Sequence, residues 1–215
     1  PGSVCHVALE VWESYALGMA EKMALEVPGR VPYVVGDYGA LGTEAFFVRK
    51  EVIDKAAQKS LFLEWYASFN ASKSDSHSYF ASHTDLPAPD TPCDKSNYMQ
   101  GAYLDDYEKF TGDFAGIVVD NGEKKRKCDA NGWALSPACR KLMQQGAPGC
   151  IAAICNGGWG FHDLAQKAAF YDMPLALGAF NEAKYISIPK AHSTFTYWWT
   201  PDGALLETDP VEVVF

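Results

Sequence analysis

The hydrophobic positions of this chain repeat with two periods. Every second residue is apolar in 5–11 and 194–200, which predicts two strands. Apolar residues at steps of three and one in 16–27 predict an amphipathic helix, and 51–66 carry a second one. Further strands are predicted at 31–35, 45–48, 114–119 and 175–177, and further helices at 98–110, from His162 to before Pro174, and at 181–186. This mixture of strands and helices predicts an α/β fold.

Two adjacent tryptophans end the strand that Pro201 stops. Alternation places Phe195, Tyr197 and Trp199 on one face, and Thr196 and Trp198 on the other. One indole is therefore expected in the core. Because strand ends of α/β proteins point into the crevice that holds ligands, Trp199 is a candidate wall of a binding site. The alternative, that both indoles only pack in the core, stays open.

Three segments follow from the pattern along the chain. Residues 1–69 form a first α/β segment, and 98–215 form a second α/β segment that ends in the Trp-Trp strand. Between them, 70–97 are rich in Ser, Asp and Pro, which predicts a long surface excursion outside the sheets, tied down by Cys93.

The formal charge of −9 argues against a nucleic-acid partner, which would select clustered Lys and Arg. The even number of cysteines predicts disulfides, and hence a secreted or otherwise extracytoplasmic protein. The six are Cys5, Cys93, Cys128, Cys139, Cys150 and Cys155. A disulfide between Cys128 and Cys139 is favoured, because only a short loop separates these two residues. Cys5–Cys93 and Cys150–Cys155 are the further pairings that we expect. Asn70 begins an acceptor sequon for N-glycosylation.

Neither a nucleophilic serine elbow nor a zinc-binding helix motif occurs in the sequence, and no cofactor motif is evident, so an enzyme is not expected. Six tryptophans, eleven tyrosines and twelve phenylalanines point to binding instead. Such rings can hold a quaternary ammonium ion, which has no donor hydrogen and is attracted to π faces. Trp159, in a glycine-rich loop, is one candidate ring.

Three short motifs follow one another along the chain: Glu10-Val11-Trp12, the run from Ala45 to Arg49, and Trp199-Thr200-Pro201. In this order they resemble motifs of the glycine betaine and choline substrate-binding proteins of ABC importers. The resemblance implies a two-lobed, type II periplasmic-binding-protein-like architecture, a small quaternary ammonium ligand, and a membrane transporter as partner. Here Arg49 replaces the usual proline and Phe46 the usual tryptophan.

By this resemblance Trp12, Trp199 and Phe46 match the positions of an aromatic cage. Glu10 lies on the same strand face as Trp12 and is a candidate counter-charge, or else a solvated or salt-bridged carboxylate. The family has a strand–helix–strand unit before its Glu-x-Trp strand and continues past the equivalent of Phe215, so the architecture is expected to be truncated at both ends. The alternative function is a structural or recognition subunit of a larger assembly, without a transport role.

Overall fold

The computed structural model describes residues 43–96, 102–200 and 208–215, together with Leu25. Contacts divide the chain into Pro1–Ala40 and Leu41–Phe215. All the strands and helices given below belong to the second unit. The predicted elements at 5–11, 16–27 and 31–35 therefore lie outside the described residues.

The described part of the chain is a mixture of strands and helices, as the sequence predicts. The strands are β1 (Thr43–Arg49), β2 (Ile117–Asp120), β3 (Glu123–Arg126), β4 (Ala134–Leu135), β5 (Ile151–Asn156), β6 (Leu175–Phe180), β7 (Phe195–Thr200) and β8 (Pro210–Glu212). The α-helices are α1 (Lys50–Ala57), α2 (Ala102–Thr111), α3 (Pro137–Gln144), α4 (Phe161–Phe170) and α5 (Glu182–Ala191).

Two predicted elements are shorter than expected. The helix α1 ends at Ala57 rather than near Tyr66, because a polar turn follows in which Ser60 adopts a positive φ of 59°. The strand predicted to start at Phe114 begins at Ile117, since Phe114–Gly116 forms a 3₁₀ turn.

Six strands form one mixed sheet in the order β4-β6-β5-β7-β1-β8, and β2 pairs with β3 in a separate hairpin. The three central strands β6, β5 and β7 are mutually parallel. β1 pairs antiparallel with both β7 and β8. Strands of the predicted first and second segments thus share a single sheet.

The chain changes winding direction at β5. It leaves β5 through α4 to reach β6, and then leaves β6 through α5 to reach β7 on the other side of β5. Buried residues of α4 pack into one core cluster and those of α5 into another. The two connections therefore leave the neighbouring strands β5 and β6 toward opposite faces, the arrangement at which open α/β sheets bind ligands.

Alternation along the central strands divides the core between the two faces. On β5, Ile151 and Ala153 face the α4 side while Ala152 and Ile154 face the α5 side. Since both faces are covered, β5 and β6 are apolar at nearly every position, as buried parallel strands usually are.

The excursion 70–96 is more deeply packed than predicted. It adds no strand to the sheet, but isolated bridges join Ser82 to Ile151 and Thr91 to Ala179. His83 and Cys93 are fully buried within it. Backbone bonds, such as His83 N–H to the Cys150 carbonyl at 3.0 Å, fix it against the start of β5.

The three predicted disulfide pairings are wrong. Cys93 bonds to Cys128 with a Cα–Cα distance of 5.7 Å, and Cys139 bonds to Cys150 at 5.6 Å. Cys155 is a free, buried thiol, and Cys5 lies outside the described residues.

Topology explains these errors. Cys150 directly precedes β5 and Cys155 lies near its end. Five residues of extended chain span about 16 Å, far beyond the reach of a disulfide. Cys128 packs on the α4 side and Cys139 on the α5 side, so a bond between them would cross the sheet. The two observed disulfides indicate an oxidising, extracytoplasmic environment, as predicted.

Candidate ligand-binding site

Three aromatic rings form a parallel stack at the carboxyl end of β7. The Tyr185 and Trp198 ring centroids lie 4.3 Å apart with planes inclined by 13°, and Trp198 and Trp199 lie 4.6 Å apart at 4°. Trp198 is therefore covered on both ring faces and is only 5 % exposed, whereas Trp199 is the partly exposed outer ring. This agrees with the prediction that one indole is core and the other borders the surface.

The stack itself is not what strand alternation predicts. Consecutive side chains of a strand point to opposite faces. The indoles of Trp198 and Trp199 nevertheless stack on each other with nearly parallel planes. Trp199 accordingly contacts both core clusters, because its side chain turns across the end of the strand. Tyr185 comes from α5, and nothing in the local sequence pattern pairs it with β7.

Trp159 lies in the loop that follows β5, at the same edge of the sheet. Its indole side chain is 38 % exposed, and its backbone N–H donates to the Asn156 carbonyl at 2.8 Å. Gly160 has a φ of +69°, and a Cβ there would lie 2.3 Å from the Tyr197 ring. Only glycine lets this loop, which carries Trp159, approach β7 so closely.

Phe46 is a core residue, 3 % exposed, rather than a surface ring. It pairs with Tyr197 across the strands, and its ring centroid lies 5.7 Å from that of Phe195 and 5.6 Å from that of Phe215. The Lys167 ammonium sits 4.9 Å from its centroid. Phe46 thus packs in the core on the α4 side of the sheet and is not available as a binding surface. Trp12 and Glu10, the other predicted site residues, lie outside the described residues.

A carboxylate is nevertheless present beside the outer indole. Glu44 of β1 is the cross-strand partner of Trp199, and it is exposed. On the α4 side, Asp163 is paired with Lys167 at 2.6 Å, so its charge is largely neutralised. The register of the sheet therefore places Glu44 next to Trp199 on the neighbouring strand.

His162, three residues after Trp159, is partly buried. Burial lowers the pKa of His162 below its usual value, although Asp106 and Asp163 act in the opposite sense. Its Nε2 lies 3.0 Å from the Gln166 amide nitrogen, and its ring centroid is 5.0 Å from that of Tyr103. The histidine therefore adds a polar ring to the first turn of the helix that follows the Trp159 loop.

The most strongly perturbed tyrosine belongs to a structural cluster. Burial raises the pKa of Tyr107 to about 12. Its hydroxyl donates to Asp113, which also pairs with Arg140, and the Arg126 guanidinium lies 4.2 Å above its ring. These contacts join α2 and α3 to the β2–β3 hairpin, and they form no open site.

Asn70, the predicted glycosylation site, holds the excursion to the end of α4. Its side-chain nitrogen donates to the Tyr171 carbonyl at 3.2 Å, and its oxygen accepts from the Ser72 N–H. The nitrogen that would carry a glycan is thus partly buried in a hydrogen bond of the folded chain.

Within the described ranges, no group of three His, Cys, Asp or Glu side chains is arranged to hold a metal ion. None of the helices described in that part of the chain is long and apolar enough to cross a membrane.

No protein-family model, curated protein or solved structure matches the chain significantly. The chemistry of the site therefore rests on its own geometry.

Proposed function

We propose that this chain is an extracytoplasmic solute-binding domain, part of a two-lobed type II binding protein, that holds a small quaternary ammonium ion of the glycine betaine or choline type. A membrane transporter is the partner that would receive the ligand. The outer face of Trp199 provides the main surface for the cation.

The observation that carries this proposal is the exposed end of the Tyr185–Trp198–Trp199 stack at the carboxyl edge of the sheet. The inner rings lock the outer indole in place, so little side-chain entropy is lost when a ligand binds. The carboxyl end of β7 lies at the same edge of the sheet as the winding switch point between β5 and β6, and open α/β sheets bind their ligands at that edge.

The chemistry fits a methylated cation better than a hydrogen-bonding solute. Each aromatic face contributes about 0.5 to 2 kcal/mol to holding a cation, so micromolar affinity needs three or four faces. Trp159 follows β5, and Trp199 lies near the end of β7, the parallel neighbour of β5. Glu44, the cross-strand partner of Trp199, is an acidic group next to it. Trp12 and Glu10, which the resemblance also assigns to the ligand, lie outside the described residues.

Isothermal titration calorimetry of the full chain with choline and with glycine betaine tests the proposal. We expect saturable binding, and Trp199→Ala should weaken it by at least about 1 kcal/mol, or fivefold, through loss of one π face. Phe170→Ala is the matched control. It removes a ring that is 72 % exposed at the far end of α4, where the helix has run back to the opposite edge of the sheet.

Absence of heat with both ligands, in protein whose thermal unfolding is cooperative, would reject the proposal. Equal weakening by Trp199→Ala and Phe170→Ala would reject the assigned site.

A second function, as a subunit of a larger assembly, is favoured by one surface. Phe110, Phe114 and Val119, around the end of α2 and β2, each expose more than half of their side chains. Exposed apolar groups of this kind mark protein contacts. Stable complexes recovered from the native source, together with no binding of either cation, would support this second function.

A further inference from the structure

A row of four aromatic rings lies where the end of α4 meets the segment before the excursion 70–96. We call it the aromatic ridge, and it consists of Trp65, Tyr66, Tyr171 and Phe170. Neighbouring ring centroids in this order lie 5.5, 4.4 and 5.1 Å apart. Trp65 is 50 % exposed and Phe170 is 72 % exposed, more than any other aromatic side chain in the described ranges. Contiguous exposed apolar groups of this kind mark a contact surface.

Phe170 has a ring face that the fold leaves uncovered. Its ring plane is inclined by 87° to that of Tyr171, and in such an edge-to-face pair one ring covers at most one face of the other. Within the described ranges this is its only ring contact. The exposed end of the aromatic ridge is therefore an open π face.

The sequon Asn70-Ala71-Ser72 lies beside this end of the aromatic ridge. Asn70 Nδ2 donates to the Tyr171 carbonyl at 3.2 Å, and the Ala71 N–H donates to the Asp172 carbonyl at 2.9 Å. The Ser72 hydroxyl donates to the Asp172 carboxylate at 2.7 Å. These bonds hold the sequon against the two residues that directly follow Phe170.

The hydrogen bond of Asn70 is compatible with a glycan on the same nitrogen. A side-chain amide carries two hydrogens, and the Tyr171 carbonyl takes one. In transfer from a lipid-linked oligosaccharide pyrophosphate, a bond forms between Nδ2 and C1 of the first sugar, and the bond from C1 to the pyrophosphate oxygen breaks. One amide hydrogen leaves as a proton, and the lipid pyrophosphate is released. The second hydrogen stays on Nδ2 and remains available to Tyr171.

A sugar is also the kind of group that suits an open aromatic face. Its C–H groups carry weakly positive hydrogens, which pack on the negative face of a ring, while its hydroxyl groups stay in water. The two disulfides indicate an oxidising compartment, and sequons of secreted proteins are glycosylated there.

We propose that Asn70 carries an N-linked glycan whose first sugars lie over the Phe170 ring and cover this end of the aromatic ridge. The sequon by itself predicts attachment only, whereas the structure supplies the surface on which the glycan packs. The proposal rests on the extracytoplasmic environment and is independent of the cation site.

Attachment is tested on the full chain secreted from a eukaryotic host. Intact mass should fall on digestion with peptide N-glycosidase, and peptide mapping should place the lost glycan on Asn70. Ser72→Ala should abolish the glycan, because it breaks the sequon while leaving the Asn70 side chain and its bond to Tyr171. Ser72→Thr is the matched control, since it preserves the sequon and should retain the glycan.

Packing is tested by the ¹H–¹³C signals of the sugar C–H and N-acetyl methyl groups in the glycosylated chain. A ring face below these groups should move some of them upfield from their positions in the free glycan, and Phe170→Ala should return them. Phe110→Ala is the matched control. It removes a ring of similar exposure, 60 %, at the end of α2, away from the sequon, and should leave the sugar signals in place.

An unmodified Asn70 in the secreted protein would overturn the proposal, and so would a glycan that persists in Ser72→Ala. Sugar signals that are the same in the wild type and in Phe170→Ala would overturn the packing of the glycan on the aromatic ridge. Absence of choline binding would reject only the cation site, because neither of these measurements involves the cation.

Discussion

Two aromatic clusters lie on opposite sides of β7, and they differ in how their rings are covered. The closed cluster on the α4 side consists of Phe46, Phe69, Phe195, Tyr197 and Phe215, whose rings meet at mixed angles. The open stack on the α5 side consists of Tyr185, Trp198 and Trp199, which are nearly parallel.

The difference in ring orientation distinguishes aromatic residues that fill the core from aromatic residues that can offer a ring face to a ligand. Tilted and edge-on contacts in the closed cluster let each ring fill space from several directions, as cores require. A parallel stack instead leaves one flat face at its end, here that of Trp199. The comparison teaches that the number of aromatic residues does not itself indicate a binding site, whereas their mutual orientation does.

The largest effect should come from breaking the closed cluster. Phe46→Ala removes a buried ring that contacts Phe195 and Phe215, and should lower the free energy of unfolding by about 3 to 5 kcal/mol in urea denaturation. Trp199→Ala, at the exposed end of the open stack, should cost clearly less. If the two losses are equal, Trp199 is as much a core residue as Phe46.

Each face also carries its own disulfide, which gives a second contrast. The Cys93–Cys128 bond has a sequence separation of 35 and the Cys139–Cys150 bond one of 11. On the chain-entropy model, replacing each pair by alanine should cost about 4 and about 3 kcal/mol, respectively. Cys155→Ala, which removes a buried thiol but no bond, should cost only about 1 kcal/mol.

Denaturation of the three variants, with thiol counting under denaturing conditions, measures this order. The Cys155→Ala variant keeps five cysteines, so two intact bonds leave at most one free thiol in an unreduced sample, and three or more would contradict the observed bonds.

A smaller contrast is expected from the histidines. Burial lowers the pKa of His83 below its usual value, against the opposing influence of Asp129 and Asp85. Its Nδ1 accepts from the Cys150 N–H at 3.1 Å, so this nitrogen must be unprotonated. Because the unfolded chain takes up the proton at higher pH than the folded chain, stability is fully present above the unfolded pKa. It is lost as the pH falls toward and through the folded pKa.

Urea denaturation of the wild type between about pH 7.5 and pH 5 should therefore show a decline, and His83→Gln should reduce its slope. His162→Gln is the comparison on the other face. Burial lowers the pKa of His162 as well, but its ring is only partly buried, so its share of the slope should be smaller. An unchanged slope in His83→Gln would remove His83 as the cause.

The closed cluster was largely predictable from the sequence, and the open stack only in part. A period of two is enough to separate Phe195 and Tyr197 from Trp198, because adjacent side chains of a strand diverge. It is also enough to identify Trp199 as the ring at the end of the strand. The α/β class follows in the same way from the alternation of strand and helix patterns.

What the sequence lacked was topology. Tyr185 reaches Trp198 only because α5 carries the chain back across β5, and no local period encodes that crossing. The predicted disulfide pairings were wrong for the same reason, since pairing depends on which side of the sheet each cysteine faces. The groove lined by Phe47, Tyr185 and Trp198 could not be predicted either, because its residues come from β1, α5 and β7, which only the fold brings together.

The smallest effect should come from Glu44, the cross-strand partner of Trp199. Glu44→Gln should weaken choline binding about twofold, as expected for one exposed charge. Glu51→Gln is the matched control, because it removes the same charge at the start of α1, where Glu51 pairs with Arg49. Calorimetry with choline on both variants, repeated at high salt where the effect should shrink, measures the difference. If both variants change choline binding alike, the net charge of the chain rather than Glu44 attracts the cation.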